Sequence, residues 1–121
     1  MIPKAYLEII NMLVARTSRE EVDWKPTSNE NIFIVNFPGF SLSMSYGKIL
    51  ISQLHIVDFI IRDSEGMKVD SFRVEEGEPD WEKALGLYSK ARKQALKIDK
   101  AIAVISDELK KAKKVGSAPD K

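Results

Sequence analysis

The last third of the chain constrains the fold most, because it carries a single long helical pattern. No proline occurs between Pro79 and Pro119, and the stretch from Trp81 onward predicts about 34 helical residues, on the order of 50 Å at 1.5 Å per residue. A domain of 121 residues has a radius of gyration of only about 14 Å. The helix must therefore break, bend or leave the domain.

Apolar residues recur along this stretch with the seven-residue period of a helix–helix seam. Five heptads place an apolar residue at both seam positions, and the seam changes from alanine and aromatic residues in its first half to Ile and Leu in its second half. The early members predict packing on a sheet, and the later members predict a contact with another helix. The positions are Trp81, Ala84, Tyr88, Ala91, Ala95, Ile98, Ile102, Ile105, Leu109 and Ala112.

The later part of this seam gives the leading functional hypothesis. Ile98, Ile102, Ile105 and Leu109 predict an interface through which a non-enzymatic interaction module self-associates as a homodimer, with a further protein partner open. The period of the pattern does not say whose helix fills the seam. Two alternatives stay open: the N-terminal helix covers the whole seam, or the chain folds back near Leu96 and Lys97.

The rest of the chain predicts an α+β domain. The spacing of apolar residues after Pro3 predicts a helix over about residues 3–17, apolar over more than one face and therefore covered on both. Five extended runs separated by turn residues predict an antiparallel β-meander of four or five strands. We expect residues 1–115 to form this domain together with the long C-terminal helix, and residues 116–121 to be a flexible tail.

Two strands carry more detailed predictions. The run Leu54–Asp63 is apolar on both faces apart from His55, Asp58 and Arg62, so we expect a central strand covered on both sides. In the last strand, Val69 and Phe72 fall out of phase by one residue, which predicts a β-bulge.

Composition excludes several chemistries. The chain contains no cysteine and one histidine, so disulfides, thiol catalysis and zinc sites lack their ligands. No phosphate-binding glycine loop occurs, and we predict no metal and no cofactor. The first fifteen residues are apolar but interrupted by Glu8 and Asn11, and no window reaches the roughly 18 apolar residues of a membrane span. We therefore expect a cytoplasmic protein without a membrane partner.

Charge is divided unevenly along the chain. Residues 1–80 hold 8 Lys/Arg and 13 Asp/Glu, net −5, whereas residues 81–121 hold 11 and 5, net +6. The cluster Lys110, Lys111, Lys113 and Lys114 is a candidate anion-binding site, and weak association with nucleic acid is the second functional hypothesis. Without arginine or an aromatic residue in this cluster, nucleic acid is an unlikely partner. A helix end whose lysines complement the dipole explains the cluster as well.

Polar residues elsewhere give a third, weaker hypothesis. Ser41, Ser43 and Ser45 share one face of a strand, which makes them candidates to line a small-ligand site or an active site with His55, Asp58 or Arg62 nearby. No nucleophile elbow surrounds the serines, and His55 and Asp58 should project to opposite faces. The acidic run from Glu75 to Asp80 does not match a calcium loop and predicts an N-cap at Asp80.

Several short motifs resemble those of a group of small uncharacterised bacterial proteins. These motifs are Trp24-Lys-Pro-Thr27, Asp63-Ser-Glu-Gly66, Val69-Asp-Ser-Phe72 and Leu87-Tyr-x-x-Ala91-Arg92-x-x-Ala95. The resemblance spans most of the chain and implies a helix, a β-meander and a long C-terminal helix. It implies no activity, because the group carries no catalytic motif to transfer.

Overall fold

The computed structural model describes residues 1–116, which form an α+β fold. A helix precedes five strands, and two helices follow them, so the predicted fold class and the β-meander are confirmed. The elements are α1 (Lys4–Ser18), β1 (Lys25–Pro26), β2 (Ile32–Phe37), β3 (Phe40–Lys48), β4 (His55–Asp63), β5 (Lys68–Glu75), α2 (Trp81–Ala95) and α3 (Ile98–Lys111).

The five strands form a single sheet in the order β1-β2-β3-β4-β5, and each pair is antiparallel. Gly39 and Gly66 turn the chain between strands with φ of 78° and 84°, a region that glycine enters without steric cost. Arg62 pairs with Lys68 and Ile61 pairs with Asp70, which leaves Val69 without a partner. The predicted bulge in the last strand is therefore confirmed.

Helices α1 and α2 lie parallel on one face of the sheet. Near their N-termini the backbone N–H of Ile2 donates to Asp80, and near their C-termini the Gln94 side chain donates to the Thr17 carbonyl at 2.7 Å. Between these points the helices and the sheet share one apolar core. The sheet residues in that core are Phe33, Val35, Leu42, Met44, Val57, Phe59, Phe72 and Val74.

The opposite face of the sheet carries no helix within residues 1–116, so the prediction of a central strand covered on both sides is wrong. In β4, Val57 and Phe59 face the helices, whereas Asp58 points to the open face and pairs with Arg73. The sequence pattern of β4 is apolar on both faces because Ile56 and Ile60 flank Asp58 on the open face. Neighbouring strands shelter these isoleucines, since Ile56 is buried and Ile60 half-buried without a covering helix.

Helix α1 also differs from its prediction. Ile10 and Leu13 are buried in the core, but Leu7, Ile9 and Met12 are exposed, although the helix was expected to be covered on both faces. Its second apolar face has no neighbour because α1 lies at the margin of the helix layer, beside α2 alone.

The long C-terminal helix breaks at Leu96 and Lys97. Lys97 adopts a left-handed conformation with φ of 55°, and the backbone N–H groups of Leu96 and Lys97 donate to Arg92 and Gln94. This is the geometry that ends a helix, with lysine at a position where glycine is usual. Of the three expectations for this helix, that it breaks, bends or leaves the domain, the structure shows a break, and α3 contacts α2 alone among the other elements.

Candidate interface on the C-terminal helix

Helix α3 presents an unburied apolar face. We name Ile98, Ile102, Ile105 and Leu109 the α3 stripe, because a spacing of four, three and four residues puts them on one side of a helix. Ile102, Ile105 and Leu109 are 59%, 59% and 60% exposed, and Ile98 is half-buried beside the helix break. The three exposed side chains line one shallow depression with Ser106 and Lys110.

The structure separates the two halves of the seam as predicted. Trp81, Ala84, Tyr88, Ala91 and Ala95 are all buried in the core, which confirms that the early half packs on the sheet. No residue of α3 is buried. Neither alternative for the later half is seen, because α3 does not contact α1 and does not return to the body of the fold. The pairing of the α3 stripe with a second chain stays a prediction.

A second exposed apolar surface lies between α1 and the turn that joins β2 to β3. We name it the α1 groove and define it by Ile9, Met12, Phe37 and Phe40, which are 43–52% exposed. Two cavities of about 410 and 230 Å³ adjoin there, and Ile9 and Phe37 line both. This surface was not predicted, because the N-terminal helix was expected to be covered on both faces.

The predicted anion-binding lysines lie at the end of α3. Lys110 and Lys111 occupy its last turn, as expected for side chains that complement the helix dipole, and Lys113 and Lys114 follow it. Lys111 donates to Asp107 at 3.1 Å, an exposed i,i+4 pair of the kind that contributes only a few tenths of a kcal/mol. The predicted flexible tail, apart from Gly116, lies outside the described residues.

A different set of lysines lines a cleft between the C-terminal ends of α1 and α2 and the first turn of α3. Lys90, Lys93, Lys97 and Lys100, which we name the lysine cleft, line a cavity of about 460 Å³ together with Glu20 and Asp99. Lys90 also donates to Ser18 Oγ at 2.6 Å. Their spacing of three, four and three residues places them on one helix face and could have been found in the sequence. The sequence analysis considered only the lysines at the end of the helix.

The serine face is open but does not assemble the predicted groups. Ser41, Ser43 and Ser45 lie on the uncovered side of β3, and Asp58 faces Ser45 across the strand pair. His55 lies on the other side of the sheet, where its Nδ1 is 2.7 Å from Tyr46 Oη, so the prediction that it diverges from Asp58 is confirmed. The structure thus brings no histidine to these serines.

Asp58 already forms an ion pair with Arg73. Both of its carboxylate oxygens accept hydrogen bonds from the Arg73 guanidinium, at 2.7 and 3.1 Å. The hydrogen bond to Asp58 raises the pKa of Arg73 above its ordinary value, against the effect of burial. Arg62 instead donates to the Gly66 carbonyl at 3.2 Å, away from this pair.

The acidic run before α2 has a second role besides starting the helix. Asp80 is the N-cap residue of α2, as predicted, but its side chain makes no capping hydrogen bond, and its Oδ2 instead accepts the backbone N–H of Ile2 at 2.9 Å. Glu78 accepts the Met1 ammonium group and the backbone N–H of Glu75, and in that order these two hydrogen bonds lower the pKa of Glu78. The acids therefore fix the chain ahead of α1, a long-range contact that local sequence does not reveal.

Two further observations concern metals and membranes. Within residues 1–116, no three His, Asp or Glu side chains come close enough together to hold a metal ion. In the same part of the chain, each helix is too short or too polar to cross a bilayer.

Comparison of the chain with protein-family models, with curated proteins and with solved structures found no match. The resemblance to small bacterial proteins therefore stays a prediction, and the function has to be inferred from the geometry of this chain alone.

Proposed function

We propose that this protein is a non-enzymatic interaction module that self-associates as a homodimer through the α3 stripe. One observation carries the proposal: a single apolar period is buried throughout α2, whereas in α3 none of its members is buried and Ile102, Ile105 and Leu109 are exposed. Burying an Ile or Leu side chain contributes roughly 1.5–3 kcal/mol. A surface that lies along the α3 stripe therefore has a substantial apolar driving force available.

The charge distribution favours a second copy of this chain as that surface. Residues 1–80 carry a net charge of −5 and residues 81–121 carry +6. Two copies arranged so that the C-terminal part of each meets the N-terminal part of the other bring opposite charges together. Such complementarity steers encounter and disfavours unlike partners.

The experiment is a measurement of solution mass by light scattering over a tenfold concentration range at two salt concentrations. We expect a dimer, and we expect Ile102→Asp to shift it to monomer, because a carboxylate in an apolar seam must be desolvated. Ala103→Asp is the matched control, since it adds the same charge to an exposed position one residue away and outside the α3 stripe. A wild-type monomer at every concentration, or an Ile102→Asp dimer, contradicts the proposal.

A second candidate function is favoured by the lysine cleft. Four lysines around one cavity, with more at the end of α3, supply the cationic surface that an anionic polymer such as nucleic acid requires. This candidate predicts weak binding that falls steeply with salt and is lost when Lys93 and Lys97 are replaced by glutamine. Binding that is insensitive to salt, or absent at low salt, would dismiss it.

We also propose a cytoplasmic setting, which is supported by the absence of cysteine from the 121 residues of the sequence. Labelling the protein in fractionated cells tests this setting. Its recovery in a membrane or secreted fraction would contradict it.

A further inference from the structure

The α3 stripe needs a complementary surface, and within residues 1–116 the α1 groove is an exposed apolar surface with two cavities beside it. Helix-in-groove recognition places an amphipathic helix with anchors at i, i+4 and i+7 in an apolar channel. The α3 stripe supplies anchors at that spacing. The α1 groove supplies two adjoining cavities of about 410 and 230 Å³, lined mainly by apolar side chains of α1, β2 and β3.

The α1 groove exists because the sheet edge beside it is incomplete. Strand β1 has only two residues and pairs with Phe33 and Ile34, so β2 continues past it without an outer partner from Val35 to Phe37. Because the pairing is antiparallel, Trp24 and Asp23 would have to continue the ladder opposite Val35 and Asn36, and neither belongs to a strand. Phe37 thus stays half-exposed at an open edge, facing Ile9 across the channel.

Interface size argues against a contact between two α3 helices alone. Helix α3 has 14 residues and is therefore about 21 Å long. A stable protein interface typically buries about 800 Å² and about 20–30 residues on each partner. One short helix against its symmetry mate falls below that range. A contact that also uses α1, β2 and β3, and is made twice in the dimer, involves more residues of each copy.

Charge points in the same direction. The α1 groove belongs to the acidic part of the chain, net −5 over residues 1–80. Helix α3 is itself neutral, because Lys100, Lys110 and Lys111 are balanced by Asp99, Asp107 and Glu108, and the positive charge near it comes from Lys97, Lys113 and Lys114 beyond its two ends. The charges at the rim of the groove are balanced locally, because Asp23 pairs with Lys25, and Glu21 pairs with Arg16 and Arg19. The attraction therefore acts between the acidic part of one copy and the lysines that flank α3 of the other, and the groove itself stays free to accept an apolar helix.

We propose that the α3 stripe of each copy lies in the α1 groove of the other, so that the dimer forms by reciprocal docking. This inference rests on the proposed self-association and adds its receptor surface. Each copy then covers both exposed apolar surfaces of its partner, and the two-fold arrangement leaves neither surface open to a third copy.

Mixing two defective variants tests the proposal. Ile105→Asp has a damaged α3 stripe and an intact groove, whereas Met12→Asp has a damaged groove and an intact stripe. We expect each variant alone to lose the dimer, and an equimolar mixture to recover a heterodimer, because one of its two contacts is intact. The recovered dimer should dissociate at a higher concentration than the wild type, and Ala15→Asp, on an exposed part of α1 outside both cavities, should dimerise normally.

The outcomes separate this inference from the proposed function. A Met12→Asp variant that dimerises like the wild type overturns reciprocal docking but leaves self-association through α3 in place. Failure of the mixture to recover any dimer also overturns it. A wild-type chain that is always monomeric overturns both proposals, and is the result expected if α3 folds into its own groove.

A cross-linking experiment covers the case in which an aspartate variant fails to fold. The chain contains no cysteine, so Met12→Cys and Ile105→Cys each introduce a single thiol. When the two variants are mixed and oxidised with glutathione disulfide, we expect a disulfide that joins one of each chain. Replacing Ile105→Cys by Ala103→Cys, on another side of α3, should abolish that product, and its persistence would contradict the docking geometry.

Discussion

Helices α2 and α3 share one apolar period, but the apolar face of α2 is buried and that of α3 is not. In α2 the seam contains three alanines that are almost completely buried, and these small side chains allow the helix to lie close against the sheet. In α3 the seam contains isoleucine and leucine, whose larger side chains suit a contact between helices. The sheet and α1 form the surface under α2, and residues 1–116 contain no comparable surface under α3.

The difference shows that an apolar period in the sequence does not by itself determine whether that face of the helix is buried. The period requires only that a helix present an apolar face, whereas burial requires that the chain supply a second surface at the right distance. Lys97 ends α2 at the point where the sheet and α1 also end, near Thr17. Beyond that point no element within residues 1–116 covers the apolar face of α3, so we propose that another copy supplies its partner.

The largest expected effect comes from truncating one leucine in each helix. Leu87 is 1% exposed and Leu109 is 60% exposed. We expect Leu87→Ala to lower the free energy of unfolding by about 2–5 kcal/mol, because it leaves a cavity in the core. Leu109→Ala should change the free energy by less than about 0.5 kcal/mol in a dilute, monomeric sample. Urea unfolding monitored by circular dichroism measures both variants.

Equal effects of the two truncations would contradict the comparison between α2 and α3. A large loss for Leu109→Ala in a monomeric sample would mean that α3 is covered within its own chain. Repeating the measurement at high concentration provides a control, since the effect of Leu109→Ala should then grow as the dimer forms.

Local residue chemistry made most of the fold predictable. Pro38 with Gly39 and Ser64 to Gly66 specified turns, and the phase error between Val69 and Phe72 specified the bulge. That the long helix breaks, bends or leaves the domain followed from the mismatch between its predicted length and the size of the domain. Each of these signals lies within a few neighbouring residues or in the size of the chain.

The features that could not be predicted depend on contacts between distant segments. The parallel packing of α1 and α2 leaves one face of the sheet open, and nothing near Asp58 in the sequence indicates which face that is. Asp80 is the N-cap residue of its own helix, as expected, but its side chain accepts a hydrogen bond from Ile2, 78 residues away. The α1 groove was hidden for the same reason, since Met12 and Phe37 meet only in the folded chain.

A smaller effect is expected at the point where the covered part of the fold ends. Thr17 is 1% exposed, and its Oγ1 accepts the Trp24 indole N–H at 3.0 Å. We expect Thr17→Val to lower the free energy of unfolding by about 1–3 kcal/mol, because the buried N–H loses its acceptor. The neighbouring Ser18 is exposed, so Ser18→Ala should cost less than about 0.5 kcal/mol in the same urea titration.

An intact free energy of unfolding in Thr17→Val would show that Trp24 finds another acceptor or water. The boundary between the buried and exposed helices would then be less sharp than the structure indicates. The tryptophan emission wavelength supplies an independent readout, since water at the indole should shift it to the red, whereas Ser18→Ala should leave it unchanged.

Replacing Lys97 tests whether α2 and α3 are two helices or one, and the expected effect is near 1 kcal/mol. At φ of 55° a Cβ atom is strained, so Lys97→Gly should be more stable than Lys97→Ala by about 1–2 kcal/mol. In a continuous helix the order would reverse, because alanine is favoured over glycine by about 1 kcal/mol. Both variants remove the same charge, and the sign of the difference in thermal unfolding decides between the two arrangements.

The smallest expected effect concerns a polar contact that holds α1 on the sheet, a kind of anchor absent between α3 and the sheet. Tyr6 Oη donates to Asp70 Oδ2 at 2.6 Å, and its ring stacks on Phe72 with centroids 5.0 Å apart. The hydrogen bond from Tyr6, and after it the backbone N–H of Ser71, lower the pKa of Asp70. The folded-state pKa therefore lies below the unfolded value, so this contact stabilises the fold above the ordinary carboxyl pKa and is lost as the pH falls through the folded value.

Removing the hydroxyl should raise the pKa of Asp70 towards its ordinary value without disturbing the ring stack. Carboxyl carbon NMR titrations of the wild type and Tyr6→Phe measure this shift directly. Glu21 provides an internal control, because its pKa is lowered by Arg16 and Arg19 at the other end of α1 and should not change. If Asp70 titrates identically in both proteins, the Tyr6 contact does not help to fix α1. The difference between the anchored helices and α3 would then rest on apolar burial alone.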